Sequence, residues 1–345
     1  MQHINLIVTF IIAALVTWVA GVWLTRATDA IDTKYNLGSA FGGLLILGVI
    51  TSLPEAAVTV TAALQHNYGI VIGTLIGGIA MQTVVLSLLD ARMQLDRSLT
   101  FAAASLTLVL EAAFVILVTV AAIIAVRTPV AIPHFNFGIT SVLILGLWLA
   151  GLWMVFKSRT GLPWQAKAIE ATPGRAHHER RAVVNHPSFK NASTTKIYAT
   201  LSLSSAAIVV AGYYLATTGS QIAEVYNVSA GLFAATFIAL AGALPNISTG
   251  LASIKLEDYK LAMSDVFGGN AFMPALLIVA DLLAGKAIIA NASTTDIWFA
   301  AMGILLTGIY LVGLIVRPRR LFLRMGLDSI LVLIVYIAGL VALSR

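Results

Sequence analysis

The run Ile50-Thr51-Ser52-Leu53-Pro54-Glu55 puts a carboxylate, two hydroxyls and a proline side by side within an apolar stretch, 39 to 64. That stretch exceeds the roughly 20 residues needed to cross a hydrocarbon core of about 30 Å. A charge at such depth costs about 2.5–3.5 kcal/mol on insertion scales, so Glu55 is expected to face a cavity and not lipid. Pro54 lacks an N–H and clashes with the turn before it. It should therefore kink the helix and free a carbonyl near Thr51 and Ser52. A kinked, charged helix of this length reads as one span of a multi-pass membrane protein, not as part of a soluble fold.

The rest of the chain agrees with this reading. Of its 345 residues 59% are hydrophobic and 10% charged, whereas about a quarter carry charge in soluble domains. The same membrane ruler gives ten spans, at 4–25, 39–64, 69–89, 99–126, 137–156, 197–216, 231–254, 261–284, 297–316 and 326–343. The fold class is all-α integral membrane. The first span lacks a basic leader and a small-residue cleavage pattern, so it is expected to be retained. No cysteine is present, which removes disulfides, thiolate metal sites and cysteine nucleophiles. There is no Walker A motif, metal-hydrolase signature or Ser-His-Asp arrangement, so neither an ATP-driven pump nor an enzyme is expected, and no cofactor. The net charge of +6 reports topology here and not nucleic acid. Of the 21 Lys and Arg residues, 18 fall in the loops that follow odd-numbered spans; only Arg127, Lys286 and Arg345 fall on the other side. Basic residues favour the cytoplasm, so both termini are expected outside. The polar segment 157–196 reads as a solvated, topogenic cytoplasmic loop.

Sliding the chain against itself by 191 residues lays Tyr35–Asp90 over Tyr226–Asp281 without a gap. Identities are few, but they fall on landmarks: Leu53-Pro54 on Leu244-Pro245, Tyr68 on Tyr259, Gly77-Gly78 on Gly268-Gly269, Asp90 on Asp281. A unit of five spans is odd, so its second copy enters the membrane from the opposite side. The expected organisation is a first repeat, 1–156, the loop 157–196, and an inverted second repeat, 197–345. Such folds place a substrate site near the midplane where the copies meet, with broken helices offering backbone oxygens. Pro54, Pro245, Gly77, Gly78, Gly268 and Gly269 are the expected helix breaks.

Thr51-Ser52-Leu53-Pro54-Glu55 resembles the first alpha-repeat motif of the calcium/cation antiporter superfamily, which includes the sodium/calcium exchangers. Gly73-Thr74-Leu75-Ile76-Gly77-Gly78 is similar to that family's glycine-rich segment, and Asp265-Val266-Phe267-Gly268-Gly269-Asn270 resembles its partner in the second repeat. The resemblance implies alternating access through a midplane site between spans two and three and spans seven and eight. It also implies a cation held by Glu55, Thr51 and Ser52, with Gln82 where span three carries a polar ligand. The second copy departs from the motif. Gly242-Ala243-Leu244-Pro245-Asn246 has no hydroxyls, Asn246 replaces the second glutamate, and Met273 stands opposite Gln82.

Read this way, the aligned centre offers one carboxylate, while calcium usually takes six to eight oxygens and several acids. Other acids within spans could make up the deficit: Glu111 lies near the middle of span four and Asp265 in span eight. Eight residues, or about 12 Å of helix, separate Asp265 from Met273, so it is expected nearer a vestibule than the central shell. Asn270 and Ser248 are further sources of neutral oxygen. The function expected is secondary antiport of small inorganic cations, Ca2+ against Na+ or H+, in a lipid bilayer of prokaryotic plasma-membrane type, with no obligate protein partner. Two alternatives stay open: monovalent cation/proton antiport, suggested by the single carboxylate, and a non-transporting ion-binding sensor or scaffold, suggested by the altered second motif.

Overall fold

Apolar residues in runs too long for a soluble core can satisfy their backbone only as helices, and the computed structural model, which describes residues 2–35, 47–93, 97–128, 137–158, 193–318 and 321–343, is almost wholly helical. Its order begins with α1 (Gln2–Tyr35), then α2 (Leu47–Thr51) and α3 (Leu53–Leu64), which meet at Ser52. Next come α4 (Tyr68–Ile72), a π turn at Gly73–Gly77 and α5 (Gly78–Ala91), followed by α6 (Leu99–Ala103), α7 (Leu106–Arg127) and α8 (Ile139–Ser158). The later part comprises α9 (Thr194–Val225), α10 (Ala230–Phe233), a π turn at Ala234–Ile238 and α11 (Ala239–Lys255). It continues with α12 (Tyr259–Phe272), a 3-10 turn at Met273–Leu276 and α13 (Leu277–Ala284), then α14 (Thr294–Val316) and α15 (Leu327–Leu343). A short ribbon pairs Leu321–Phe322 with Met325–Gly326.

Eight helical stretches among the described residues are long and apolar enough to cross a membrane, and two shorter apolar helices, Leu53–Leu64 and Leu327–Leu343, fall on the second and tenth expected spans. Residues 36–46, the start of the second expected span, and 159–192, most of the expected loop, lie outside the described residues. On the first and sixth expected spans, α1 and α9 run well past the expected ends. Along the fourth expected span the chain breaks at Ala104, whose φ of −46° and ψ of 117° leave the helix; Ser105 then caps α7 by accepting from the Leu108 N–H at 3.3 Å.

The helix breaks need correction. At the first proline the break falls on Ser52, and Pro54 sits in the first turn of α3, where a missing N–H costs nothing. Pro245 lies inside an unbroken α11, and Gly268 and Gly269 inside an unbroken α12. The eighth expected span deviates instead at Met273–Leu276, which contains Pro274. Gly77 ends a π turn and Gly78 starts α5, so these two do mark a backbone irregularity.

Small residues let the central helices approach closely, as membrane packing requires. A Cβ on Gly73 would lie 2.8 Å from Gly231 Cα and 2.9 Å from Ala234 Cβ, and one on Gly77 would lie 2.6 Å from Ala235 Cβ. The two π turns thus cross each other where side chains are smallest. Replacing Gly73 with Leu should cost about 1–3 kcal/mol of stability through overpacking; a thermal melt in detergent matching wild type would show that the crossing is looser than this contact implies.

Several local structures recur 191 residues apart. His66 and Glu257 both adopt positive φ, 58° and 61°. The next residues, Asn67 and Asp258, each cap the following helix, accepting from the N–H groups of Ile70 at 3.3 Å and Leu261 at 3.1 Å. Their own N–H groups donate to Ala62 O at 2.8 Å and Ser253 O at 2.9 Å. Outside the aligned segment, a Cβ on Gly21 would meet Pro245 Cβ at 2.7 Å, and one on Gly212 would meet Ala57 Cβ at 2.5 Å. Asp90 and Asp281 both tether distant chain: Asp90 accepts from the N–H groups of Leu99 and Gly326, both at 2.7 Å, and Asp281 from those of Ile288 at 2.8 Å and Gly138 at 3.0 Å. Gly326 immediately precedes α15 and Gly138 immediately precedes α8.

Candidate cation site

Stretch Tyr68–Ala91 is the centre of the packing, with 89% of its most apolar window buried against 22% for His3–Thr28. Polar side chains buried there have no water to hydrogen-bond, so their partners define what the site can hold. Gln82 on α5 donates from Nε2 to Glu55 Oε1 at 2.6 Å. Both residues are 1% exposed, and Glu55 Oε2 and Gln82 Oε1 have no hydrogen-bond partner. Opposite them α11 presents Gly242, where a Cβ would fall 2.7 Å from Glu55 Oε1. The glycine that appeared in the sequence as a lost hydroxyl is thus the space into which the carboxylate fits.

Thr51 and Ser52, at the junction of α2 and α3, turn their hydroxyls to Gly48 O, at 3.3 and 2.8 Å. Thr51 Oγ1 also donates to Asp265 Oδ1 at 3.0 Å, and Thr249 Oγ1 on α11 donates to Asp265 Oδ2 at 2.9 Å. This corrects the expectation that Asp265 lies apart in a vestibule. Spacing along α12 measures its distance from Met273, but α2 reaches it from another direction. Through Thr51 and Thr249 the Asp265 carboxylate joins the centre, which therefore holds two carboxylates and not one. Thr249 carried no signal in the sequence beyond its place three residues after Asn246.

Asn246 is 2% exposed and its Oδ1 has no partner. Asn270 donates to Thr83 Oγ1 at 3.2 Å, leaving its Oδ1 without one. Those two amide oxygens, Glu55 Oε2 and Gln82 Oε1 are four buried acceptors without a hydrogen-bond partner. Ser248 is not brought to the site: its hydroxyl accepts from Trp18 Nε1 of α1 at 2.5 Å. Glu111, 4% exposed, lines a cavity of about 40 Å³ beside Phe114, Trp148, Phe267 and Gly48. Among the described residues no three His, Asp or Glu side chains converge, so any cation held here would take most of its ligands from neutral oxygens.

Apolar helices around a buried polar centre define an all-α, multi-pass integral membrane protein. Residues 5–158 and 196–343 match the family described as sodium/calcium exchanger protein, and the chain belongs to that family, within the calcium/cation antiporter superfamily. Among curated proteins none matches it in sequence. Among solved structures it is similar to the sodium-calcium exchanger NCX_Mj soaked with Na+ and without Ca2+, at 18% identity, TM-score 0.60 and 99% coverage of both chains. With Na+ and Ca2+ both present the TM-score to NCX_Mj is 0.61, again at 18% identity and 99% coverage of both chains. The H+/Ca2+ exchanger CAX is similar at 11% identity and TM-score 0.66, over 97% of this chain and 82% of that one.

Proposed function

We propose that the protein is a secondary active cation antiporter and not an enzyme, exchanging Ca2+ for Na+ or H+ by alternating access. The observation that carries the reading is Glu55: a fully buried carboxylate whose Oε1 is held by Gln82 beside Gly242 and whose Oε2 has no hydrogen-bond partner. An intramembrane acid placed in this way is expensive to keep unless an ion or proton occupies it. Glu55 would be the anionic anchor, with Thr51, Ser52, Gln82, Asn246 and Asn270 supplying neutral oxygens. Two ions competing for one anionic centre cannot leave together, and rocking of the two halves about it turns that competition into exchange.

Ten spans in two inverted five-helix repeats, 1–156 and 197–345, joined by a cytoplasmic loop at 157–196, are the architecture we favour. The recurring turn at His66 and Glu257, the glycine seats at Gly21 and Gly212 and the tethers at Asp90 and Asp281 support it. The excess of Lys and Arg after odd spans supports termini outside, in a membrane of prokaryotic plasma-membrane type. Exchange by CAX and NCX_Mj, whose folds this chain shares, makes both Na+ and H+ reasonable counter-ions.

The test is radioactive calcium uptake into proteoliposomes of the purified protein under an imposed sodium gradient, then a proton gradient. Uptake under either gradient, absent from protein-free liposomes, is the expected result. Calcium binding with no flux under any gradient would support a sensor and remove the antiporter reading.

A further inference from the structure

Asp90, near the end of α5, ties the connection after α5 to the connection after α14. Its carboxylate accepts from the N–H groups of Leu99 and Gly326. Ser98 Oγ donates to Pro318 O at 3.1 Å, and Thr100 Oγ1 donates to Asp328 Oδ2 at 2.5 Å. In sequence, 91–98 and 317–326 carry six arginines, Arg92, Arg97, Arg317, Arg319, Arg320 and Arg324, with no lysine and one acid, Asp96. The flanking acids do not offset this charge at the surface, because Asp90 and Asp328 are 1% and 7% exposed and turned into the bonds above. Arg92, Arg97 and Arg324 are exposed. At the counterpart corner, where Asp281 holds Ile288 and Gly138, 282–293 and 128–137 carry a single Lys or Arg, Lys286. Its Nζ lies over the Tyr68 ring at 4.4 Å from the centroid.

The arginine-rich corner also has an apolar tip. Phe322 pairs with Met325, so Leu323 and Arg324 form a two-residue hairpin turn, and both have positive φ, 51° and 66°. A turn of this kind favours Asn-Gly, since an ordinary side chain is strained in the left-handed region. With Arg317 at 55°, three of the six non-glycine residues of positive φ among the described residues fall in this one connection. The strained turn presents Leu323, at 77% the most exposed large apolar side chain among the described residues, beside Phe322. It stands between the end of α14 and the start of α15, the level at which the chain leaves the hydrocarbon. There, apolar side chains can enter the leaflet while neighbouring guanidinium groups meet phosphate.

We infer that this corner is a binding site for an anionic phospholipid, with Phe322 and Leu323 in the leaflet and Arg92, Arg97 and Arg324 toward the headgroup phosphate. Arginine suits a phosphodiester because its planar fork offers two parallel donors. The inference needs a multi-pass membrane protein and nothing more, so it stands whichever ion the protein moves.

Fluorescence quenching in bilayers tests it. The chain has no cysteine, so Leu327→Cys at the head of α15 and Leu282→Cys on α13, each about half exposed, take one fluorophore apiece on the full chain. Phosphatidylglycerol with a nitroxide on its acyl chain should quench the label at position 327 with an apparent affinity at least about fivefold above that of nitroxide phosphatidylcholine. The label at position 282 should show no such preference. Arg92→Gln combined with Arg324→Gln should bring the preference at 327 close to one. Leu323→Asn, which suits the left-handed turn, should melt no lower than wild type yet cut the preference at least about threefold, because Arg324 is no longer held at the leaflet. Equal quenching by the two lipids at 327, or the same preference at 327 and 282, would overturn the inference without any arginine variant having to fold. So would an unchanged preference in the double arginine variant or in Leu323→Asn. Displacement of the lipid by soluble glycerol phosphate would overturn it as well, assigning the corner to free phosphate.

Discussion

Glu55→Gln should abolish coupled cation flux while leaving the protein folded. The amide occupies nearly the same volume, so packing against Gly242 is kept, and what is lost is the charge. Leaving a buried ion without its charged partner costs about 3–5 kcal/mol, which at about 1.4 kcal/mol per decade is a loss of about two to three and a half powers of ten in cation affinity. Initial uptake rates in proteoliposomes measure this, with monodisperse elution of the variant as the folding control. Full exchange by Glu55→Gln would show that the ion is anchored elsewhere.

Asp281→Ala should be the most destabilising substitution outside the centre. Asp281 is wholly buried, and it accepts from the N–H groups of Ile288 and Gly138 and from Ser141 Oγ, the last at 2.6 Å. Removing it strands three donors away from water. With about 1.5–3 kcal/mol for each hydrogen bond to a charged group, a loss of at least about 3 kcal/mol is expected even if the effects overlap. Asp281→Asn keeps one of the two acceptor oxygens and should lose less. Thermal unfolding in detergent separates the two; an Asp281→Ala melt equal to wild type would mean the tether between α13 and the start of α8 carries no load.

What could be read from the sequence and what could not divide along physical lines. Long apolar runs force helices, so the all-α membrane class and the positions of most spans followed from length and hydropathy alone. Thr51, Ser52, Glu55 and Gln82 were identifiable because a polar residue deep in an apolar run has to be explained by a partner, and these prove to cluster. Breaks were harder to place. Proline at a helix start fits without distortion, so Pro54 leaves the break to Ser52, and Gly268-Gly269 serves close packing beside Ser52 and Gln82, not chain reversal. Asp265 was misplaced because spacing along one helix says nothing about which other helix crosses it. Gly242 carries the same lesson: a missing side chain reads as a loss until the neighbour that fills the space, here the Glu55 carboxylate, is known. The pairing of Ser248 with Trp18 joins residues 230 apart, and no periodicity announces it.

The central claim is that ions cross only in exchange, and calcium efflux from preloaded proteoliposomes tests it most directly. Vesicles diluted into medium containing sodium, or buffered to impose a proton gradient, should release calcium, while those diluted into medium lacking a counter-ion should retain it. Release at equal rates with and without a counter-ion, or no release under either gradient, would contradict exchange at the Glu55 centre.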